Sequence, residues 1–290
     1  MVESAANRPT VHLDAGAEGR IMVADSLSFY EHEPWLNDVA VGASFAGAPT
    51  AAMAMRQGVK AWIAHEAGPG KDEAGVSGLP FSDRYGVPAA AIATMEARLA
   101  DGRTLLTGHV SRVNKSAEGL GVRAGQTGDQ AARLLLKAPP GQLREFPGLV
   151  DEAVHEIAAT PSGKIYACWS FSRVTRAHPD DVFCVASHGA KTMALYALPI
   201  RPKGLICNDG GRALGDSGIE GLAEMALHGF AAVAVSSASA RIGDALSTYH
   251  DGMVSTANEP ARGKGVTSGM RATQAARLML DDHVKSRTDR

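Results

Sequence analysis

Short unbroken apolar runs alternate with stretches of helical period along this chain, most clearly in its second half. There "VFCVAS" (from Val182) is followed by "AKTMALYAL", then "GLICND" (from Gly204), "GIEGLAEMALHG" and "AAVAVSS" (from Ala231). Apolar runs with no polar position every second residue predict strands buried on both faces, and the stretches between them predict helices. The combination is that of a parallel sheet with helices on both sides. In the first half Pro49 falls near the first position of one such helix and Gly58 just past its end, the usual asymmetry of helix termini. Gly75 and Gly78, and later Gly218 and Gly221, leave bare positions three residues apart where helix and sheet can approach closely. Pro80 predicts a kinked or displaced helix in the first half.

The pattern occurs twice because the sequence does. Val41 to Leu79 aligns without a gap on Cys184 to Leu222: Ser44 falls on Ser187, Lys60 on Lys203, Ile63 on Ile206, Gly68 on Gly211 and Gly75 on Gly218. The register continues through Arg98 and Asp101, which meet Arg241 and Asp244. After a one-residue shift, Gly108 to Gly125 meets Gly252 to Gly269, Asn114 falls on Asn258, and "QAARLLL" meets "QAARLML". A duplication fixes the expected architecture. The fold class is α/β, with internally duplicated parallel-sheet (Rossmann-like) units in two tandem repeats of pseudo-twofold relation. The expected division is a first repeat over 1–138, a linker over 139–160 rich in proline and charge with a short helix from Gly148, and a second repeat over 161–290.

Composition narrows the class of protein. Hydrophobic residues make up 45% and charged residues 21%, with a formal net charge of -2, the profile of a globular chain and one that argues against a nucleic-acid partner. No stretch approaches a membrane span, and the start "MVESAANRPT" lacks the basic-then-apolar order of a signal peptide. Cys168, Cys184 and Cys207 all lie in strand-like runs and read as buried reduced thiols, the expectation for a cytoplasmic protein.

The candidate chemistry concentrates where strands end. Six segments follow predicted parallel strands and hold most of the polar residues that interrupt apolar runs: 43–47, 65–75 and 94–101 in the first repeat, and 186–191, 208–218 and 236–244 in the second. In such sheets ligands bind along this edge, where the free N–H groups of helix N-termini also point. Residues shared by the repeats, Ser44/Ser187, Arg98/Arg241, Asp101/Asp244 and Asn114/Asn258, have a structural reading as caps and loop ties. Differences are read as specialisation: His188 stands where the first repeat has Phe45, Asn208–Asp209 where it has His65–Glu66, and Lys71–Asp72 where the second repeat has Leu214–Gly215. One composite or second-repeat site is therefore expected rather than two equal ones.

Spacing weighs against several known chemistries. "VASHG" and "GASFAG" both miss the G-x-S-x-G nucleophile elbow, and "GPGKDEAG" lacks the Ser or Thr that follows the lysine of a P-loop. No HxH or HExxH is present, so no metal ligand set is assigned and no cofactor is expected, with a catalytic metal held by residues from His65, Glu66, His109, His188, Asp209 and His250 as the alternative. The residues instead suit a small, polar, carboxylate-bearing ligand. Ser187 is expected as nucleophile or oxyanion donor, His188 as acid/base, Asp209 to orient the histidine or activate water, and Lys71 as base or anchor. Arg241, Arg98, Ser44, Asn208 and Asp244 are expected to line the substrate site, arginine by bidentate pairing. The expected function is hydrolysis of a small metabolite, with a lyase or isomerase using the same groups, or a ligand-binding or assembly protein without turnover, as alternatives. A homodimer is a further expectation.

Overall fold

The computed structural model describes residues 8–281. It divides into two compact units: within the described residues, the first comprises 8–69, 73–150 and 213–215, and the second 70–72, 151–212 and 216–281. Each unit thus includes a tripeptide that the sequence places in the other repeat.

The first unit is built on β1 (Thr10–Asp14), β2 (Arg20–Ala24), β3 (Val39–Phe45), β4 (Ala61–His65), β5 (Ala89–Ile92) and β6 (Val110–Val113), paired in sequence order. The central strands β2 to β5 are parallel, and β1 and β6 close the edges antiparallel. Helices α1 (Ala48–Arg56), α2 (Gly78–Asp83), α3 (Gly102–Thr107), α4 (Lys115–Gly119) and α5 (Gly128–Leu135) complete it. Alternate strand residues feed two cores. Met22, Ala40, Trp62, Ala64 and Ala91 pack with α1 and α2 on one face. Ile21, Val39, Val41, Ile63 and Ile92 pack with α3 and α5 on the other. This two-sided burial is why the strands read as continuous apolar runs.

The second unit repeats the plan with β7 (Val154–Thr160), β8 (Gly163–Cys168), β9 (Val182–His188), β10 (Gly204–Asn208), β11 (Ala231–Val235) and β12 (Val254–Ala257), again neighbours in sequence order. Its helices are α6 (Lys191–Ile200), α7 (Gly221–Leu227), α8 (Ala245–His250), α9 (Glu259–Gly263) and α10 (Ala272–Leu280). The α/β class and the duplication expected from the sequence both hold: two six-stranded, mostly parallel sheets flanked by helices. No helix among the described residues is long and apolar enough to cross a membrane.

Local expectations fare differently. Gly78 and Gly221 begin α2 and α7, and their N–H groups donate to Ala46 O and Gly189 O at 2.9 Å. A Cβ at either would stand 2.6 Å from a carbonyl oxygen, so glycine is what lets helix and strand end meet. Gly75 and Gly218 lie in the 3-10 turns just before those helices, not on the same helical face. Pro80 falls in the first turn of α2, where its missing N–H costs no helical bond, so no kink is needed. The segment expected as linker is divided: residues up to 150 pack with the first unit, and 154–160 form β7 of the second. In place of the helix expected from Gly148 there is a turn followed by that strand, whose partner β8 is reached by a tight turn that local helical pattern could not anticipate.

Candidate functional site

All six segments singled out as strand ends do follow β3, β4, β5, β9, β10 and β11. The geometry of the loops after β4 and β10 is unusual. Ala67, Asp72 and Glu73 in one, and Arg212, Ala213 and Asp216 in the other, have φ between +51° and +66° without being glycine. In the second loop Gly210, Gly211, Arg212 and Ala213 are left-handed in succession. Each such non-glycine residue costs about 1 kcal/mol or more, and persists only where the surroundings fix it.

What fixes these loops is a set of side-chain braces that recurs in both units with different residues. His65 accepts the Ala67 N–H at Nδ1 (2.8 Å) and donates from Nε2 to Ala97 O (2.9 Å). Its counterpart Asn208 accepts the Gly210 N–H at Oδ1 (2.9 Å) and donates to Ala240 O (3.1 Å). The two side chains therefore tie the same two backbone positions. Burial drives the His65 pKa down to about 4, against the hydrogen bond to Ala97 O. Glu66 accepts from the Thr94 N–H, and its counterpart Asp209 from the Ser237 N–H at 2.9 Å and the Gly211 N–H at 3.0 Å. Glu96 and Ser239 form a third pair, taking the N–H groups of His109 and Met253. Asn114 and Asn258 cap α4 and α9 identically, as the shared-residue reading expects.

These braces change the standing of several candidates. Asn208 and Asp209 differ from His65 and Glu66 in type but not in the backbone groups they hold. A difference between repeats at these positions preserves geometry and is not by itself a sign of chemistry. Asp209 is 4% exposed, with Oδ1 holding two backbone donors. Ser44, 5% exposed, accepts the Leu27 N–H at 2.9 Å and shares a hydrogen bond with Ser26 Oγ at 3.0 Å, which makes it a tie between β3 and the turn after β2.

Ser187 occupies the equivalent place in the second unit without the equivalent bonds. Its hydroxyl has no hydrogen-bond partner among the described residues, where Ser170 pairs with Ser172 instead. Both serines lie in a bulge: between Gly42 and Phe45 on β3, and between Cys184 and His188 on β9, the strand gains residues on its β4 or β10 neighbour. Bulges re-aim side chains, so simple alternation no longer assigns Ser187 and His188 to opposite faces. His188 is 9% exposed and accepts the Ala190 N–H at Nδ1, 3.4 Å away. The exchange of Phe45 for His188 is coupled to packing: a Cβ at Gly47 would stand within 2.3 Å of the Phe45 ring, and the second unit carries Ala190 there.

Lys71, Arg241 and Asp244 are brought together. With Asp72, Asp251 and Ser247 they form one charged network in the second unit. Lys71 Nζ lies 2.9 Å from Asp251, and Ser247 Oγ donates to the same carboxylate at 2.6 Å. Both bonds hold the Asp251 carboxyl below its ordinary range. Arg241 makes two bonds to Asp244 Oδ2, at 3.2 and 2.8 Å, and reaches Asp72 at 3.1 Å, so its guanidinium is held above its usual pKa. The expected Arg–Asp tie is present, and Lys71 is an ion-paired ammonium, suited to anchoring. The Lys71 N–H donates to Ser237 O, and the Gly243 N–H to Ala186 O, which joins this network to the ends of β11 and β9. Arg98 stays in the first unit, its guanidinium against Gly215 and its N–H on Thr104 Oγ1.

Among the described residues no group of three or more His, Cys, Asp or Glu is placed to hold a metal ion. The three cysteines are free and buried, and burial pushes the Cys168 thiol up to about 12 and the other two higher still, which leaves them unreactive. Comparison with protein-family models, curated proteins and solved structures found no match for this chain.

Proposed function

We propose that this protein is an enzyme acting on a small polar, carboxylate-bearing metabolite at the carboxyl edge of the second unit, with hydrolysis as the reaction its groups suit best. The observation that carries the reading is the contrast between the two serines. Ser44 is engaged by Ser26 and the Leu27 N–H, whereas Ser187, at the same bulge, keeps its hydroxyl for another partner. Arg241 supplies a carboxylate anchor. Its bond to Asp72, which is 61% exposed, is the one a ligand carboxylate would displace, while Asp244 keeps the guanidinium in place. Lys71 adds a second cation to the same network. In this reading Ser187 is the nucleophile or oxyanion donor, His188 the acid/base, and Asp209 acts through the loop it braces. Proton abstraction by the same groups, as in a lyase or isomerase, is the neighbouring chemistry.

Binding without turnover is supported by a different observation: the polar side chains His65, Asn208, Glu66 and Asp209 all serve the backbone. A screen of small amides, esters and lactones bearing a carboxylate separates the two. The enzyme reading expects hydrolysis that falls by about 100-fold or more in Ser187→Ala and His188→Ala, with melting curves unchanged. Turnover untouched by both substitutions sinks the assignment. Thermal stabilisation by carboxylates that vanishes in Arg241→Ala, with no turnover of any compound, establishes the binding reading instead.

A further inference from the structure

The two units treat the amino ends of their first parallel strands differently. In the first, Arg20 opens β2 and a buried aspartate holds it. Asp38 Oδ1 takes the Arg20 N–H (3.1 Å) and Nε (3.0 Å), and Oδ2 takes Nη2 (2.7 Å). The guanidinium also stands 5.8 Å from the centroid of the Trp35 ring, which is fixed in turn by its Nε1 bond to Tyr30 O (2.9 Å). Asp38 thereby uses one edge of the planar guanidinium. The end-on edge, Nη1 with the second N–H of Nη2, makes no hydrogen bond to a described residue, and it is the fork that pairs with two oxygens of a carboxylate or phosphate. Arg20 lines a cleft of about 390 Å³, the size of a small-molecule site. The buried side chains of Met22, Phe29 and Trp35 give this cleft an apolar floor. Its charged lining is Arg8, Arg20 and Glu33, with His32 beside them, so cations outnumber carboxylates.

The aspartate does not need an arginine for its structural work. Asp181 stands at the place of Asp38 in the second unit and takes the Lys164 N–H at 2.8 Å. The Lys164 ammonium turns instead to Glu156 (2.6 Å), and the other oxygen of Asp181 meets the His178 ring at 2.7 Å. His178 stands at the place of Trp35, for their N–H groups donate to the equivalent carbonyls of Ile200 and Gln57. Tyr166, at the register of Met22, stacks on Phe183 at 5.2 Å, where the first unit has only Ala40. The second unit thus fills this end with rings and points its cation away, while the first keeps a smaller side chain beside a fixed guanidinium. We propose that the Arg20 cleft is a binding site for a small oxyanion on an aromatic body, an arylcarboxylate or aryl phosphate, with the oxygens taken end-on by the guanidinium and the body over Met22 and Phe29. The cleft lies at the amino ends of β2 and β3, the opposite end of the sheet from the loops after β3 and β4. It does not depend on the carboxylate anchor assigned to Arg241.

Titration of the full-length protein with benzoate, phenyl phosphate and inorganic phosphate, followed by the Trp35 indole N–H signal in NMR spectra and by calorimetry, tests this. Trp35→Phe identifies the signal. Benzoate or phenyl phosphate is expected to shift it saturably, and the tighter of the two names the headgroup. Inorganic phosphate has no apolar body to cover the floor and should bind about 10-fold more weakly. Arg20→Lys keeps the charge but loses the fork, so it should weaken binding by about 10-fold or more. Arg241→Ala should leave binding unchanged, which separates this cleft from the carboxylate anchor of the second unit. Glu33 is exposed, so Glu33→Gln spares the fold; with its repulsion gone, binding should tighten by about 3-fold, and this variant carries the test should Arg20→Lys prove unstable. A Trp35 signal unmoved by all three probes overturns the proposal. So do equal affinities for the three, equal affinities in Arg20→Lys and wild type, or an affinity unchanged in Glu33→Gln and lost in Arg241→Ala.

Discussion

His65 shows how much one side chain can carry without touching chemistry. Its neutral ring holds two backbone positions, and its folded pKa of about 4 lies below the ordinary 6.5. Well above pH 6.5 neither state is protonated and the brace contributes fully. As pH falls from 6.5 to 4 the unfolded chain takes up a proton that the folded one refuses, so stability drops by about 3 kcal/mol and then levels off. Asn208 does the same work in the second unit with no titratable group. His65→Asn is therefore expected to fold at neutral pH and to flatten this acid limb in urea titrations run between pH 7.5 and about 4. An unchanged slope would show that the histidine is not what senses acid. The sequence displayed His65 and Asn208 as a difference in reactive residues; that they hold the same pair of backbone groups depends on where 97 and 240 return, which no local pattern encodes.

At the level of elements, the ends of α1 and α6 invite a direct comparison. Gly58 follows α1 with φ +74°, while Arg201 follows α6 with φ +54°, a conformation costly for any residue with a Cβ. Arg201→Gly is expected to stabilise the second unit by about 1 kcal/mol and raise its melting temperature by a few degrees; a lower melting temperature would mean that the arginine side chain makes up the difference. The central strands and α1, α6 and α7 were legible because apolar period is a direct consequence of which face is buried. The hairpin strand β7 was not. Its residues Val154 to Thr160 lie at the edge of the sheet, half-buried to exposed, and so carry little of the apolar signal that marks a central strand. Pro80 was misread because its effect depends on whether it falls in the first turn or the middle of a helix.

For the whole molecule, the repeats read from the sequence and the compact units of the fold differ by two short segments. Residues 70–72 complete the second unit and 213–215 the first. A chain cut to 151–290 consequently lacks Lys71 and Asp72, leaving Asp251 without its lysine and Arg241 with Asp244 alone. Such a fragment is expected to melt below the second unit of the intact chain, by more than the Lys71→Ala variant loses, since an exposed ion pair alone is worth about 1 kcal/mol or less. Equal melting temperatures for fragment and intact chain would show that the exchanged tripeptide adds nothing.

The amino-acid order by itself determined the α/β class, the repeat and the edge where polar residues gather, because burial on two faces and duplication both leave local, periodic marks. Only the tertiary structure decided which of those polar residues brace the backbone, and that among the described residues Ser187 is unengaged where Ser44 is not. Those facts rest on groups distant in sequence meeting across a few ångströms, and a hydrogen bond is made or missed on that scale.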